Sequence, residues 1–295
     1  LLIRGFLTSE LSEKQKESVL KIMEKLQDRL DILKKIDEFE KLGKFNEDIE
    51  NDPPSIVLMP NKVDYLNKKL SSKFLTWYYE KLAKAFFESQ IKKNNFIIDE
   101  VVGLENFASV KTGAILTCNH FNPFDNYTIR RAIRPYSKVM YTVIREGNYT
   151  NFDGFYGKVF KHCHTLPLSQ NRDTMKKFIS SLSTLLQSGQ KVLIYPEQAM
   201  WWNYKKPRPL KNGAFNFAVK NNVPVIPFFI TMKDSDFIGA DGFPIQRYTV
   251  HVLKPIYPDN TLPVHEQIEK MKEQNYEVWK ETYEKVYGKK LEYNN

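Results

Sequence analysis

A histidine and an aspartate five positions apart, His120 and Asp125, stand in the stretch Thr-Cys-Asn-His-Phe-Asn-Pro-Phe-Asp at 117–125. Imidazole suits proton transfer near neutral pH. A carboxylate on one ring nitrogen fixes the tautomer and leaves the other nitrogen to take a proton from a hydroxyl. Five positions do not share a helical face, but Pro123 between them suits a turn that opens a helix and brings the carboxylate back to the ring. The plainer alternative is a helix capped by Asn119 or Asp125, with an ordinary loop histidine beside it. For an isolated His and Asp the plainer alternative wins, so the surroundings must decide.

Two other stretches hold side chains able to bind or react. Tyr-Pro-Glu-Gln-Ala-Met-Trp-Trp at 195–202 places Glu197 just after an apolar run. The basic run at 204–213 offers Lys205, Lys206, Arg208 and Lys211 beside Gly213, as donors to a phosphate or another anionic headgroup. A solvated loop is the commoner fate of such a run, although Trp201 and Trp202 next to it suit a membrane interface, which exposed indoles favour. His162-Cys163-His164 looks metal-like, yet alternation along a strand sends the histidines to one face and the cysteine to the other. A strand with two half-exposed histidines is therefore expected there. His-Glu-Gln-Ile-Glu at 265–269 lacks the second histidine of a zinc helix.

The elements that must position these residues follow from periodicity. Apolar runs of strand length at 113–119, 138–144, 164–168, 191–196 and 223–230 alternate with helical stretches at 124–133, 173–188 and 211–221. That order implies an α/β fold with a largely parallel sheet flanked by helices, whose sites gather at the carboxyl ends of strands. Residues 1–60 form a helical N-terminal extension, with one charged helix over 12–42. Ser12 and Gln15 make a capping box, and Val19, Met23, Leu26, Leu30 and Leu33 make a narrow stripe meant to lie on the body or on a partner helix. Asn-Asp-Pro-Pro-Ser at 51–55 is a linker. The main domain runs over 61–295, opening with a helix at 62–93 and closing with a C-terminal helix at 264–287. The 62–93 segment mixes Phe74, Trp77 and Tyr78 with Lys73, Lys81 and Lys84, which fits a membrane interface as well as it fits packing on the core.

Composition narrows the classes. The chain has 295 residues with 42% hydrophobic content, enough for a sizeable core. Forty-four Lys and Arg against 35 Asp and Glu leave +9, which favours an anionic partner. The basic residues are scattered among acidic ones and no recognition motif appears, so nucleic acid is not the expected partner. Two cysteines are too few for a disulfide framework and fit a reducing compartment. No apolar run approaches the roughly 20 residues of a spanning helix. The chain begins at Leu1 rather than Met, which leaves room for a targeting segment or anchor ahead of it.

The order of the blocks resembles the PlsC-like glycerolipid acyltransferases, the 1-acylglycerol-3-phosphate acyltransferase family. The blocks are Asn-His-x4-Asp after a strand, a second strand region, strand-Pro-Glu, Lys-x-Gly-Ala-Phe, and Val-Pro-x-x-Pro, together covering roughly 96–255. The resemblance implies His120 as general base, oriented by Asp125, in transfer of a fatty acyl group from acyl-CoA or acyl-carrier protein to a hydroxyl of a lysophospholipid or glycolipid acceptor. It implies no metal and no bound cofactor, and a protein held peripherally or monotopically on the cytoplasmic, anionic face of the cell membrane. Asn119, Glu197, Lys211 and Gly213 fall in the matching blocks as acceptor-site residues. The family's arginine after the second block is Gln170 here, with Arg172 two further on, and Glu-Gly-Thr-Arg is replaced by Glu197-Gln198-Ala199-Met200. Those arginines are thought to hold the acceptor phosphate. Arg172, Lys205, Lys206 and Arg208 are then the candidate replacements, unless the acceptor carries no phosphate there. A hydrolase using the same pair on water, or a non-catalytic membrane-binding relative, remain the alternatives.

Overall fold

The structure is a computed structural model describing residues 13–50 and 53–294. In chain order its elements are α1 (Glu13–Lys41), α2 (Leu70–Lys92), β1 (Ile97–Val102), α3 (Leu104–Ser109), β2 (Ala114–Thr117), α4 (Asp125–Ile133), β3 (Tyr141–Ile144), α5 (Glu146–Thr150), α6 (Gly154–His162), β4 (Thr165–Pro167), α7 (Arg172–Gln187), β5 (Lys191–Ile194), α8 (Gly213–Asn221), β6 (Val225–Ile238), β7 (Pro244–Val252) and α9 (Val264–Tyr287). Seven strands form one sheet in the order β1-β7-β6-β2-β5-β3-β4. All described pairings between these strands are parallel except the β6–β7 hairpin. The sheet is thus the largely parallel one expected, with helices on both faces.

The apolar runs read as strands because both of their faces are covered. Ile115, Val192, Val225 and Phe229 point to one face, where they meet α7, α8 and α9 through Phe178, Leu182, Phe215 and Trp279. Ala114, Leu116, Leu193, Ile226 and Phe228 point to the other, against Phe107 of α3 and Ile129 and Ile133 of α4. The C-terminal helix matches its expected limits. Its buried line is Gln267, Met271, Asn275, Trp279 and Tyr283 at strict four-residue spacing. Asn275 accepts a hydrogen bond from Thr117 Oγ1 at 2.6 Å, which ties α9 to the last residue of β2. Among the described residues no helix is long and apolar enough to cross a bilayer.

Several expectations fail for local reasons. The helix expected over 62–93 begins at Leu70, because Asp64 turns its carboxylate onto the N–H groups of Lys68 and Lys69 and Asn67 takes φ 49°. His162 ends α6 and His164 sits at φ 51° before β4, so His162-Cys163-His164 is a helix end and a turn rather than a strand, although both histidines are half-buried. Both cysteines are free and buried. The α1 stripe does not seat as expected: Met23, Leu30 and Leu33 are exposed, and Ile32, Ile36 and Phe39 face the body instead. Ser12, the Gln15 and Val19 side chains, and residues 51–52 of the linker lie outside the described residues.

Asn119 follows β2 and holds it to its neighbour. Its Nδ2 donates to the Ile230 carbonyl at 3.0 Å and its Oδ1 accepts the Ile230 N–H at 2.8 Å, so a side chain completes the ladder where the backbone turns away. Asn119→Ala therefore leaves a buried donor and a buried acceptor on β6 unpaired. A urea-denaturation series is expected to show a loss of about 2–4 kcal/mol. An unchanged midpoint would remove this role.

Candidate active site

Parallel register brings the first candidate residues together. Thr117 of β2 pairs with Ile194 of β5, so the segments leaving both strands run side by side at their carboxyl ends. His120 leaves one and Tyr195 the other. The loop at 121–124 folds back because the Asn122 carbonyl accepts the N–H of Asp125 at 3.1 Å and Asn122 Oδ1 accepts the N–H of Phe124 at 3.0 Å. This delivers Asp125, the first residue of α4, to the imidazole. His120 Nδ1–H donates to Asp125 Oδ2 at 2.7 Å, and the same oxygen accepts the N–H groups of Phe121 at 3.2 Å and Asn122 at 3.4 Å. Asp125 Oδ1 accepts from Tyr195 Oη at 2.6 Å. Its position in the first turn of α4 adds the favourable end of the helix dipole to a buried carboxylate.

The imidazole itself is partly open, with its side chain 23% exposed against 1% for Asp125. Tyr195 stacks on it with ring centroids 4.0 Å apart and an 18° interplanar angle. Nε2 has no protein partner among the described residues and is left for a substrate. His120 and Asp125 line a cavity of about 1690 Å³. Its lining includes the apolar side chains Val143, Phe160, Leu168 and Ile194. It also includes Arg130, Arg131, Arg134 and Lys138, and α2 contributes Trp77, Glu80, Lys84 and Phe87. Glu80 accepts from His164 Nδ1 at 2.7 Å and from Arg130 Nη1 at 3.4 Å. Burial opposes its ionisation, but Arg130 and His164 outweigh that and hold the carboxyl below its usual value.

Glu197 is the organiser behind the imidazole. It is 1% exposed, and its carboxylate accepts the N–H of His120 at 3.0 Å, the N–H of Arg208 at 2.8 Å and Arg208 Nη2 at 2.8 Å. Arg208 is equally buried and also donates to the carbonyls of Phe45, His120 and Ala199. Its guanidinium is therefore fully engaged by protein acceptors, and it lies over the Trp201 ring at 4.8 Å. Trp201 and Trp202 are buried at 0% and 7% rather than exposed: Trp201 is the floor on which residues 42–50 lie, and Trp202 packs against Phe243 with the Arg29 guanidinium over its ring. Trp201 Nε1 donates to the Glu47 carbonyl at 3.0 Å and Phe45 stacks on the indole.

Of the candidate binding residues, the structure brings Gly213 to the cavity wall with His120 and Asp125. Asn119, Gln170, Arg172, Glu197, Lys205, Lys206, Arg208 and Lys211 do not line it. Lys206 pairs with Glu40 of α1 at 2.5 Å, and Lys205 lies by the Tyr287 ring. Gln170, Arg172 and Lys211 are exposed. Arg145, directly after β3, does line the cavity. Its fork meets both oxygens of Asp48 at 2.6 and 2.7 Å and the Gln198 carbonyl at 3.1 Å. Sequence reading missed Arg145 and Tyr195. The available signal was their place immediately after a strand of a parallel sheet.

The acyltransferase family model matches residues 99–231. Over that stretch the chain is similar to an acyltransferase domain. The 1-acyl-sn-glycerol-3-phosphate acyltransferase of Saccharomyces cerevisiae is 24% identical over 187 residues, covering 62% of this chain and 60% of that protein. The crystal structure of the 1-acyl-sn-glycerophosphate (LPA) acyltransferase PlsC from Thermotoga maritima aligns with a TM-score of 0.48 at 16% identity, over 77% of this chain and 100% of that one. The family resemblance read from the ordered blocks is borne out by the family model and the Saccharomyces relative.

Removing one partner of the Glu197–Arg208 pair strands a buried charge. Arg208→Ala is expected to cost about 3–5 kcal/mol and to expose residues 42–50 to limited proteolysis. Wild-type resistance to cleavage in that segment would show that it is held by other contacts.

Proposed function

We propose that this protein is an O-acyltransferase that moves a fatty acyl group from a thioester carrier, acyl-CoA or acyl-carrier protein, to a hydroxyl of a glycerolipid acceptor at a membrane surface. The observation that carries the reading is the imidazole at the cavity wall. Its Nδ1 is fixed by a buried carboxylate and its Nε2 has no protein partner. Nε2 takes the proton of the acceptor hydroxyl as the oxygen attacks the thioester carbonyl. The C–S bond breaks as the new ester forms, and the imidazolium returns its proton to the departing thiolate. Asp125 holds the ring and stabilises the transient imidazolium. No acyl-enzyme intermediate is required.

The acceptor chemistry is supported by the family of residues 99–231 and by the activity in the name of the Saccharomyces relative, a 1-acyl-sn-glycerol-3-phosphate acyltransferase. The cations on the cavity wall, Arg130, Arg131, Arg134, Lys138 and Arg145, suit an anionic headgroup or carrier. The membrane reading rests on α2. Leu70, Phe74, Trp77, Tyr78 and Leu82 recur at helical spacing and are all exposed, with Lys81 over the Trp77 ring at 4.0 Å. The adjoining face of the same helix, with Trp77 at the boundary, lines the cavity, so a lipid acceptor enters from the surface on which the helix rests.

The deciding experiment offers purified protein a labelled acyl thioester on either carrier, with lysophosphatidate, other lysophospholipids and glycolipids as acceptors. Transfer to a lysophospholipid is expected, with His120→Ala reducing it on the order of 10³-fold in a folded protein. Thioester hydrolysis with no acceptor dependence would instead identify a hydrolase. In vesicle sedimentation, Phe74→Ser with Trp77→Ser is expected to weaken binding to anionic vesicles by roughly tenfold or more, given the burial energy of two aromatic side chains. Equal binding of the two proteins would remove α2 from the contact.

A further inference from the structure

We propose that Tyr195 is a positioning residue for His120, its hydroxyl setting how strongly Asp125 holds the imidazolium and its ring setting where Nε2 points. The inference rests on the reading of His120 as the base and adds a residue to it. Strand register is its origin. Tyr195 follows β5 as Cys118 follows β2, and the two strands are parallel neighbours, so the phenol arrives beside the turn that carries His120. It makes two contacts at once. The hydroxyl donates to Asp125 Oδ1 at 2.6 Å, and the ring covers one face of the imidazole at 4.0 Å and 18°.

Each contact has a distinct physical effect. Asp125 Oδ2 is shared by the imidazole and two backbone N–H groups, whereas Oδ1 has Tyr195 as its one hydrogen-bond partner among the described residues. A hydrogen bond to a carboxylate stabilises its charged form and draws electron density from the oxygen facing the histidine. Without it, Oδ1 is a buried, unpaired charge, and the carboxylate pulls harder on the imidazolium proton. The base is then protonated at higher pH. Burial pushes the Tyr195 phenol well above its usual value, with Asp125 adding to the shift, so the hydroxyl remains a donor throughout the working range. The stacked ring restrains rotation of the imidazole about its own axis, which the single Nδ1 bond does not. The phenol face also favours the cationic form of the ring that forms during transfer.

The other charged groups around the pair are fixed. Glu197 accepts the backbone N–H of His120, Arg208 donates to its carbonyl, and Arg130 approaches Tyr195 from α4. Tyr248 on β7 and Cys118 face Asp125, both with burial as the main cause of a raised pKa. None of these replaces the bond to Oδ1.

Tyr195→Phe removes the hydroxyl and keeps the stack, whereas Tyr195→Leu removes both. The acid limb of the kcat/KM profile is measured for wild type and Tyr195→Phe, and the His120 ring is titrated by NMR in the same proteins. Tyr195→Phe is expected to move both midpoints upward by roughly half to one unit. Tyr195→Leu is expected to lower kcat by roughly 10- to 100-fold with KM for the thioester changed less than about threefold. Fluorotyrosine at 195, a stronger donor of the same shape, moves the ring titration the opposite way and serves if Tyr195→Phe is unstable. Curves for Tyr195→Phe and fluorotyrosine that overlay on wild type would overturn the proposal. Should the wild type transfer no acyl group, the ring titration still decides the role of Tyr195, and only the reading of the reaction fails.

Discussion

A carboxylate taken out of water must find a partner for every oxygen, and Asp125 shows how much structure that requirement imposes. At 1% exposure it accepts from an imidazole, two backbone N–H groups and a phenol. The two backbone donors can reach only if the loop at 121–124 closes into a tight turn, and the closed turn starts α4 at Asp125 itself. The phenol can reach only if β5 lies beside β2. The orientation of His120 is therefore a by-product of satisfying one buried charge. The imidazole is fixed at its inner nitrogen and open at its outer one because the interior side is saturated.

Glu197 and Arg208 extend the same logic outward. A buried ion pair is costly to desolvate and is retained where additional hydrogen bonds complete it. Here the additional partners are the backbone of His120 on one side and the carbonyls of Phe45 and Ala199 on the other. The pair thus fixes the histidine's backbone and fastens residues 42–50 over the segment 197–204. Where the family resemblance leads one to expect Gly-Thr-Arg after the glutamate, this chain has Gln198, Ala199 and Met200. Ala199 is fully buried in a cluster with Trp201, Ile36 and Ile49. Apolar packing of the N-terminal extension occupies that place, and a guanidinium next to Gln198 comes from Arg145 on the neighbouring strand end instead.

The local parts of this arrangement are legible in the sequence. Strand-length apolar runs and the α9 limits depend on residues close in the chain, so periodicity reveals them. The His120–Asp125 contact, though local, is favoured over an ordinary cap only by the order of the blocks downstream. Parts that depend on distant partners are not legible. Lys206 and Arg208 read as free donors because Glu40 is 166 positions from one and Phe45 163 from the other. Trp201 reads as exposed because the segment that covers it lies far upstream. The α1 stripe was read from spacing alone, and the face that packs was decided by Trp201 and Ile49. β7 escaped notice because its burial alternates, unlike the continuous runs of the strands covered on both faces.

The sheet also explains why the helix with the exposed aromatic face and the helix carrying Asp125 act as one unit. Glu80 of α2 holds Arg130 of α4, whose Nε donates to Asn126 Oδ1 at 3.0 Å, and Asn126 donates to Thr142 Oγ1 of β3 at 2.7 Å. Asn126 is the residue next to Asp125. His164, on the turn before β4, closes the group from the other side of Glu80. A displacement of α2 must therefore break a charge-assisted network, part-buried where exposed ion pairs would be weak, before it leaves α4 undisturbed. Glu80 lies on the face of α2 opposite Phe74 and Tyr78, so the contacts that α2 makes with its surroundings and the contacts that fix the first turn of α4 share one rigid connection. Binding at the outer face and alignment of the carboxylate are mechanically joined through Arg130.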